Sequence, residues 1–222
     1  MTAAVTGPPS LRNGLSAARS GALRETCARL AEADDAEFGV RLLGNTPTHE
    51  ARGPEELERW AEAATAFGTE LAARAGPHGG AGRTGARVVE RDGGLDALLL
   101  ARYVSRPVPT VELYTDTLAL GEELAGWLGW RTWFAAGALR GAALAHEEAH
   151  CLLHGDAALR RALRDRLGHS ALRLGRLRIP GHVAGADELA AHAYAAARCG
   201  LGRTPLLLTA ALASAVRALG ED

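Results

Sequence analysis

Residues 134 to 154 read as one long helix that is apolar along most of its length, "FAAGALRGAALA" running on towards "HEEAHCLLH". Such a helix is expected to be buried, yet its second half carries His146, Glu147, Glu148, His150 and His154. Buried polar groups need partners, so the fold must bring complementary groups to this face. His146 and His150 are four apart and project from one side of a helix, one turn from each other, which lets both imidazoles reach one Zn2+. Glu147, beside the first histidine, leans towards the coordination position left open for water. The HExxH spacing therefore predicts a metal site with Zn2+ as its cofactor and Glu147 as its general base. The competing reading is a polar stripe facing solvent, and the apolar flanks argue against it. Cys151 lies about 100° round the helix from His150 and is assigned to packing.

A catalytic zinc needs three protein ligands and an open position, so the chain must offer a third. "ADELAAHAYAAA", 186 to 197, is a second Ala-rich helix that carries Asp187, Glu188 and His192. Glu188 and His192 are four apart on one face, and Ala191 and Ala195 beside them let the helix approach closely. Asp187 and Glu188 also suit a helix N-terminus on dipole grounds alone. This reading leaves open which of Glu188 and His192 is the third ligand. His154 lies one turn beyond His150 and is read as a helix-end residue balancing the dipole.

The rest of the chain sets these two helices in an α+β frame. Residues 1 to 20, rich in Pro, Gly, Ser and Ala, read as a flexible tail, and 21 to 75 as a helical extension with Pro54 at a first turn. "GPHGGAGRTGA", 76 to 86, reads as a flexible connection. Gly80, Gly82 and Gly85 in it match GxGxxG, but a dinucleotide fingerprint follows a strand and opens a helix, and this one follows a helix. "RVVERDGGLDALLLARYVS" reads as a hairpin turning at Asp92-Gly93-Gly94, and "TVELYTDTL" as a further strand. Helices are expected at about 118 to 128, 134 to 154, 156 to 167, 186 to 199 and 205 to 219.

Twenty-five basic against 26 acidic residues give a formal charge of −1, so no global field recruits nucleic acid or an anionic membrane. Three cysteines without a CxxC pair point to a reducing compartment. With no apolar run long enough to span a bilayer, the expectation is a soluble cytoplasmic protein.

"HEEAHCLLH" followed by "ELAAHAYAA" resembles the gluzincin pattern HExxH…ExxA[DN]x[FY]A of CAAX prenyl proteases and of ImmA/IrrE-type cytoplasmic metallopeptidases, over about 87 to 210. The resemblance implies His146, His150 and Glu188 as zinc ligands and Glu147 as general base. It further implies a zincin-like domain over 87 to 220: a small, mostly antiparallel sheet packed on the active-site helix and the second ligand-bearing helix. His192 stands where those families carry Asp or Asn, so it either holds a ligand by a hydrogen bond or is itself the alternative ligand.

The function expected is zinc-dependent hydrolysis of a peptide or protein substrate. A strand edge around Thr110 to Tyr114 would hold the substrate by strand addition. His169, His182 and Tyr194 are candidates for an additional electrophile. One alternative is a zincin-like binding or regulatory module without peptidase activity. Another is a di-iron carboxylate helical protein, for which Glu147 and His150 supply one ExxH but Glu188 and His192 are spaced ExxxH.

Overall fold

The computed structural model describes residues 10–75, 85–174 and 177–220. In chain order these form α1 (Leu11–Gly14), α2 (Ala17–Glu32), α3 (Asp35–Gly44), α4 (Pro54–Ala75), β1 (Arg87–Arg91), β2 (Ala101–Val104) and β3 (Thr110–Tyr114). They continue with α5 (Thr115–Trp127), α6 (Ala138–Gly155), α7 (Ala157–Leu167), β4 (Ser170–Leu174), β5 (Leu177–Pro180), α8 (Ala186–Cys199) and α9 (Pro205–Gly220). The class is α+β, as the order of patterns predicts.

Local chemistry sets several of the helix ends. Asp34 accepts the Glu37 N–H at the start of α3, and Asp156 accepts from Ala158 and Leu159 at the start of α7. Pro54 opens α4, where its missing N–H costs nothing, and Gly168, at φ 63°, closes α7 in the left-handed region.

Two apolar cores lie on either side of α6. One joins α3, α4, α7 and α8 to Ala145, Ala149 and Leu153 of α6, and the other joins α1, α2, β3, α5 and α9 to Leu139. The N-terminal helices are thus built into both cores, where the sequence suggests an extension. Their apolar positions face partners far along the chain: α4 lies along α8, and α2 along α9. The tail expected over 1–20 also ends earlier. Residues 1–9 lie outside the described ones, but Leu11 is buried and Ser10 Oγ donates to Glu123 at 2.8 Å.

The crossing of α4 with α8 depends on Gly68. A Cβ there would stand 2.1 Å from the Ala190 carbonyl oxygen, inside van der Waals contact with a backbone that cannot step aside. Gly68→Ala is expected to lower stability by roughly 1–3 kcal/mol through overpacking. Urea unfolding checks this as a lower midpoint at unchanged m-value, and an unchanged midpoint would mean the helices part without cost.

The three-stranded sheet corrects the hairpin. Its order is β1-β3-β2, with β1 parallel and β2 antiparallel to the central β3, so the sheet is mixed and not mostly antiparallel. Asp92-Gly93-Gly94 makes no hairpin turn because its amides are taken elsewhere: the N–H groups of Gly93 and Gly94 donate to the Asp116 carboxylate at the start of α5. Gly94 also has no room for a side chain, with the Leu99 carbonyl oxygen and Tyr114 Cβ each 2.5 Å from where a Cβ would stand. The segment therefore passes under the β3–α5 junction and delivers β2 to the far side of β3. A second, two-stranded sheet, β4–β5, fills part of the stretch between α7 and α8 in which no strand is expected from the sequence. Of the GxGxxG glycines, Gly80 and Gly82 lie outside the described residues, as does 76–84 of the flexible connection, and Gly85 precedes β1 at φ 62°. Among the described residues, no helix is long and apolar enough to cross a membrane.

Candidate metal centre

On α6 the buried positions Ala145, Ala149 and Leu153 form one stripe, and His146, His150 and His154 follow one residue later, rotated about 100° from it. This turns the histidine stripe out of the core and into a cavity of about 510 Å³ bounded by α6, α8 and β2. From across the cavity the first turn of α8 presents Glu188, at the helix end whose dipole favours a carboxylate.

The four side chains converge. His146 Nε2 and His150 Nε2 are 3.1 Å apart; His150 Nε2 lies 3.2 Å from Glu188 Oε2, and His146 Nε2 lies 3.4 Å from Glu188 Oε1. Ligands at zinc distances of about 2.0–2.1 Å in a tetrahedron are separated by about 3.3 Å. The two imidazole nitrogens and the Glu188 carboxylate, which meets His150 at Oε2 and His146 at Oε1, lie at about that spacing, so His146, His150 and Glu188 would hold one zinc ion between them. His192 Nε2 reaches Glu188 Oε1 at 3.1 Å, and its ring lies 4.5 Å from that of His146. Its Nδ1 is buried with no hydrogen-bond partner among the described residues. An imidazole that donates from Nε2 keeps Nδ1 as an acceptor, so His192 holds the Glu188 carboxylate from behind.

Electrostatics act differently on the two histidines. Burial pushes His146 towards its neutral form, the form that binds metal. At His150 burial acts in the same direction, but the hydrogen bond it donates to Glu188 and the carboxylates of Glu188, Glu147 and Asp187 outweigh it and hold the imidazole above its ordinary value. Burial raises Glu188 as well, yet its three imidazole partners keep its carboxyl far below the usual range. A dication among these groups would compete with protons for the imidazole nitrogens and take over the role of satisfying the Glu188 carboxylate. Cys151 is not part of this set: burial first, and then the Glu147 and Glu148 carboxylates, push its thiol up to about 11.

Glu147 lines the cavity beside the histidines, and its Oε2 accepts the backbone N–H of Tyr103 on β2 at 3.0 Å. Sequence reasoning could not find Tyr103, because the group that matters is a main-chain amide and any residue supplies it. Glu148, by contrast, is fully buried and faces away from the cavity. The strand edge next to the site is β2. β3, over Thr110 to Tyr114, is central and almost wholly buried, so the expectation of an edge there is corrected.

The candidates for an extra electrophile do not reach the cavity. Tyr194 is fully buried in the core, His169 packs edge-on against Trp60 with centroids 5.1 Å apart, and His182 is exposed elsewhere. His154 is exposed, stacks on His150 at 6.0 Å, and forms with His150 and Asp187 an outer group whose ligand atoms lie within 4.8 Å of one another. The cavity's carboxylates, among the described residues, are Glu147 and Glu188, two fewer than a di-iron bundle site uses.

No family model, curated protein or solved structure matches this chain.

Proposed function

We propose that this chain is a cytoplasmic zinc-dependent peptidase in which His146, His150 and Glu188 hold the metal and Glu147 is the general base. The observation that carries the reading is the convergence of His146 Nε2, His150 Nε2 and the Glu188 carboxylate, with contacts of 3.1 Å between the imidazoles, 3.2 Å from His150 to Oε2 and 3.4 Å from His146 to Oε1, in a cavity that also contains Glu147. The resemblance of "HEEAHCLLH" and "ELAAHAYAA" to the gluzincin pattern supports it, and the three free cysteines suit a reducing compartment.

Zinc, when bound there, supplies a Lewis acid that lowers the pKa of water and polarises a carbonyl oxygen. The chain's own groups do the rest. The Glu147 carboxylate takes a proton from the attacking water at Oε1 or Oε2 and can return it to the leaving amine. Tyr103 N–H fixes that carboxylate at the cavity wall. The main-chain groups of the β2 edge other than the Tyr103 N–H would be offered to an extended peptide, and His192 orients Glu188 through its 3.1 Å contact.

The test is stoichiometric. The purified protein is expected to carry one zinc per chain, to hydrolyse an unfolded protein substrate, and to lose that activity to a chelator and regain it with zinc. His146→Ala and His150→Ala are each expected to purify without zinc, since two ligands do not make a closed site. Two irons per chain, or full activity after the metal is stripped, would defeat the reading.

A further inference from the structure

The cavity beside the metal ligands is strongly two-ended. One end is the polar set of His146, Glu147, His150, Glu188 and His192. The other is closed by Leu98, Leu100, Phe134, Leu139, Leu201 and Leu208, which come from the loop before β2, the turn before α6, α6 itself, and the α8–α9 junction and α9. Ala142 and Ala143 on α6 and Ala195 on α8 lie between the two ends, and their small side chains keep the passage open. From His146 back to Leu139 is seven residues of α6, roughly 10 Å along the axis at 1.5 Å per residue. A methyl group leaves most of that depth unfilled, whereas a Leu or Phe side chain reaches into it.

We infer that the apolar end is a specificity pocket, and that the substrate class is a peptide presenting one large apolar side chain, Leu or Phe, next to the bond held at the metal set. The inference rests on the peptidase reading for the identity of the occupant as a peptide. It is carried by the continuity of the two ends: the polar set and the apolar residues line one cavity, so a main chain lying along β2 at the polar end has an apolar space beside it into which an adjacent side chain can project. An acidic or basic side chain would lose its hydration among Leu98, Leu100, Phe134, Leu139, Leu201 and Leu208, and Arg102, the cation in the cavity lining, is already paired with Glu112 at 2.8 Å.

The test separates the pocket from the chemistry. The probes are the capped peptides Gly-Gly-X-Gly-Gly with X as Ala, Leu or Phe. Their binding to full-length Glu147→Gln protein is measured by competition calorimetry, with and without added zinc, so that no peptide is consumed. Burying a side chain of this size is expected to make the Leu and Phe peptides bind on the order of 10- to 100-fold more tightly than the Ala peptide. Ala143→Leu, which fills the passage, is expected to remove that preference while zinc binding persists. Leu201→Ala, which enlarges the far end, is expected to reduce the preference, and it serves should the first variant not fold. Equal affinity for the three peptides overturns the inference while leaving a zinc site intact. An unchanged preference in both folded variants overturns it too, because the side chain would then lie elsewhere. If the preference holds and Ala143→Leu removes it in a protein that binds no zinc, the pocket stands and the peptidase reading is the part that fails.

Discussion

Glu147→Gln is expected to keep one zinc per chain and a near-wild-type melting temperature while hydrolysis falls about 10²- to 10⁴-fold, the range that general base catalysis supplies. The substitution conserves shape, and the Gln carbonyl oxygen can still accept the Tyr103 N–H that now meets Glu147 Oε2 at 3.0 Å. What it removes is the ability to take a proton. Zinc content by emission spectrometry and initial rates on an unfolded protein check both halves. If zinc leaves with the carboxylate, Glu147 is a ligand and the trio with Glu188 is not the metal set. If zinc stays and the rate stays with it, another group is the base, and among the described residues the cavity has no second carboxylate outside the ligand set to take that place.

What could be read from the sequence was local. α6 and α8 emerge within a few residues of their expected bounds because apolar period and i, i+4 spacing are properties of one stretch of chain. The same spacing brings His146 to His150, and Glu188 to His192. Pairing across the sheet is not local. Asp92-Gly93-Gly94 has the residues of a hairpin turn, and only the distant Asp116 carboxylate, by taking two of its amides, sends β1 to pair in parallel with β3. The N-terminal helices misled for a similar reason. An amphipathic face signals burial without naming its partner, and the partner of α4 is α8, more than a hundred residues away. The contact of Glu147 with Tyr103 uses a backbone donor and leaves no trace in residue type. The apolar end of the cavity is assembled from three separate stretches of chain, around 98–100, 134–139 and 201–208, so no single stretch announces it.

Glu188→Ala is expected to abolish tight zinc binding, whereas His192→Ala weakens it about 10- to 100-fold, the usual cost of losing a partner that orients a ligand. The geometry ranks the two. Glu188 is the one group touched by all three imidazoles, at 3.4 Å from His146, 3.2 Å from His150 and 3.1 Å from His192. Removing it takes a ligand and leaves His146 and His150 facing an open gap. His192 meets the cluster through Nε2 only, and that nitrogen is engaged by Glu188 Oε1. Its Nδ1 is buried and unpartnered among the described residues, and the group around Glu188 whose ligand atoms all lie within 4.8 Å of one another is His146, His150 and Glu188, without His192. Competition with a chromogenic chelator measures both affinities in one titration. His192→Gln sharpens the comparison, because its amide N–H₂ can still donate to Glu188; this variant is expected to recover part of the loss seen in His192→Ala. Should His192→Ala empty the site while Glu188→Ala leaves it filled, the ligand set is three histidines. Glu188 would then be the residue that orients them.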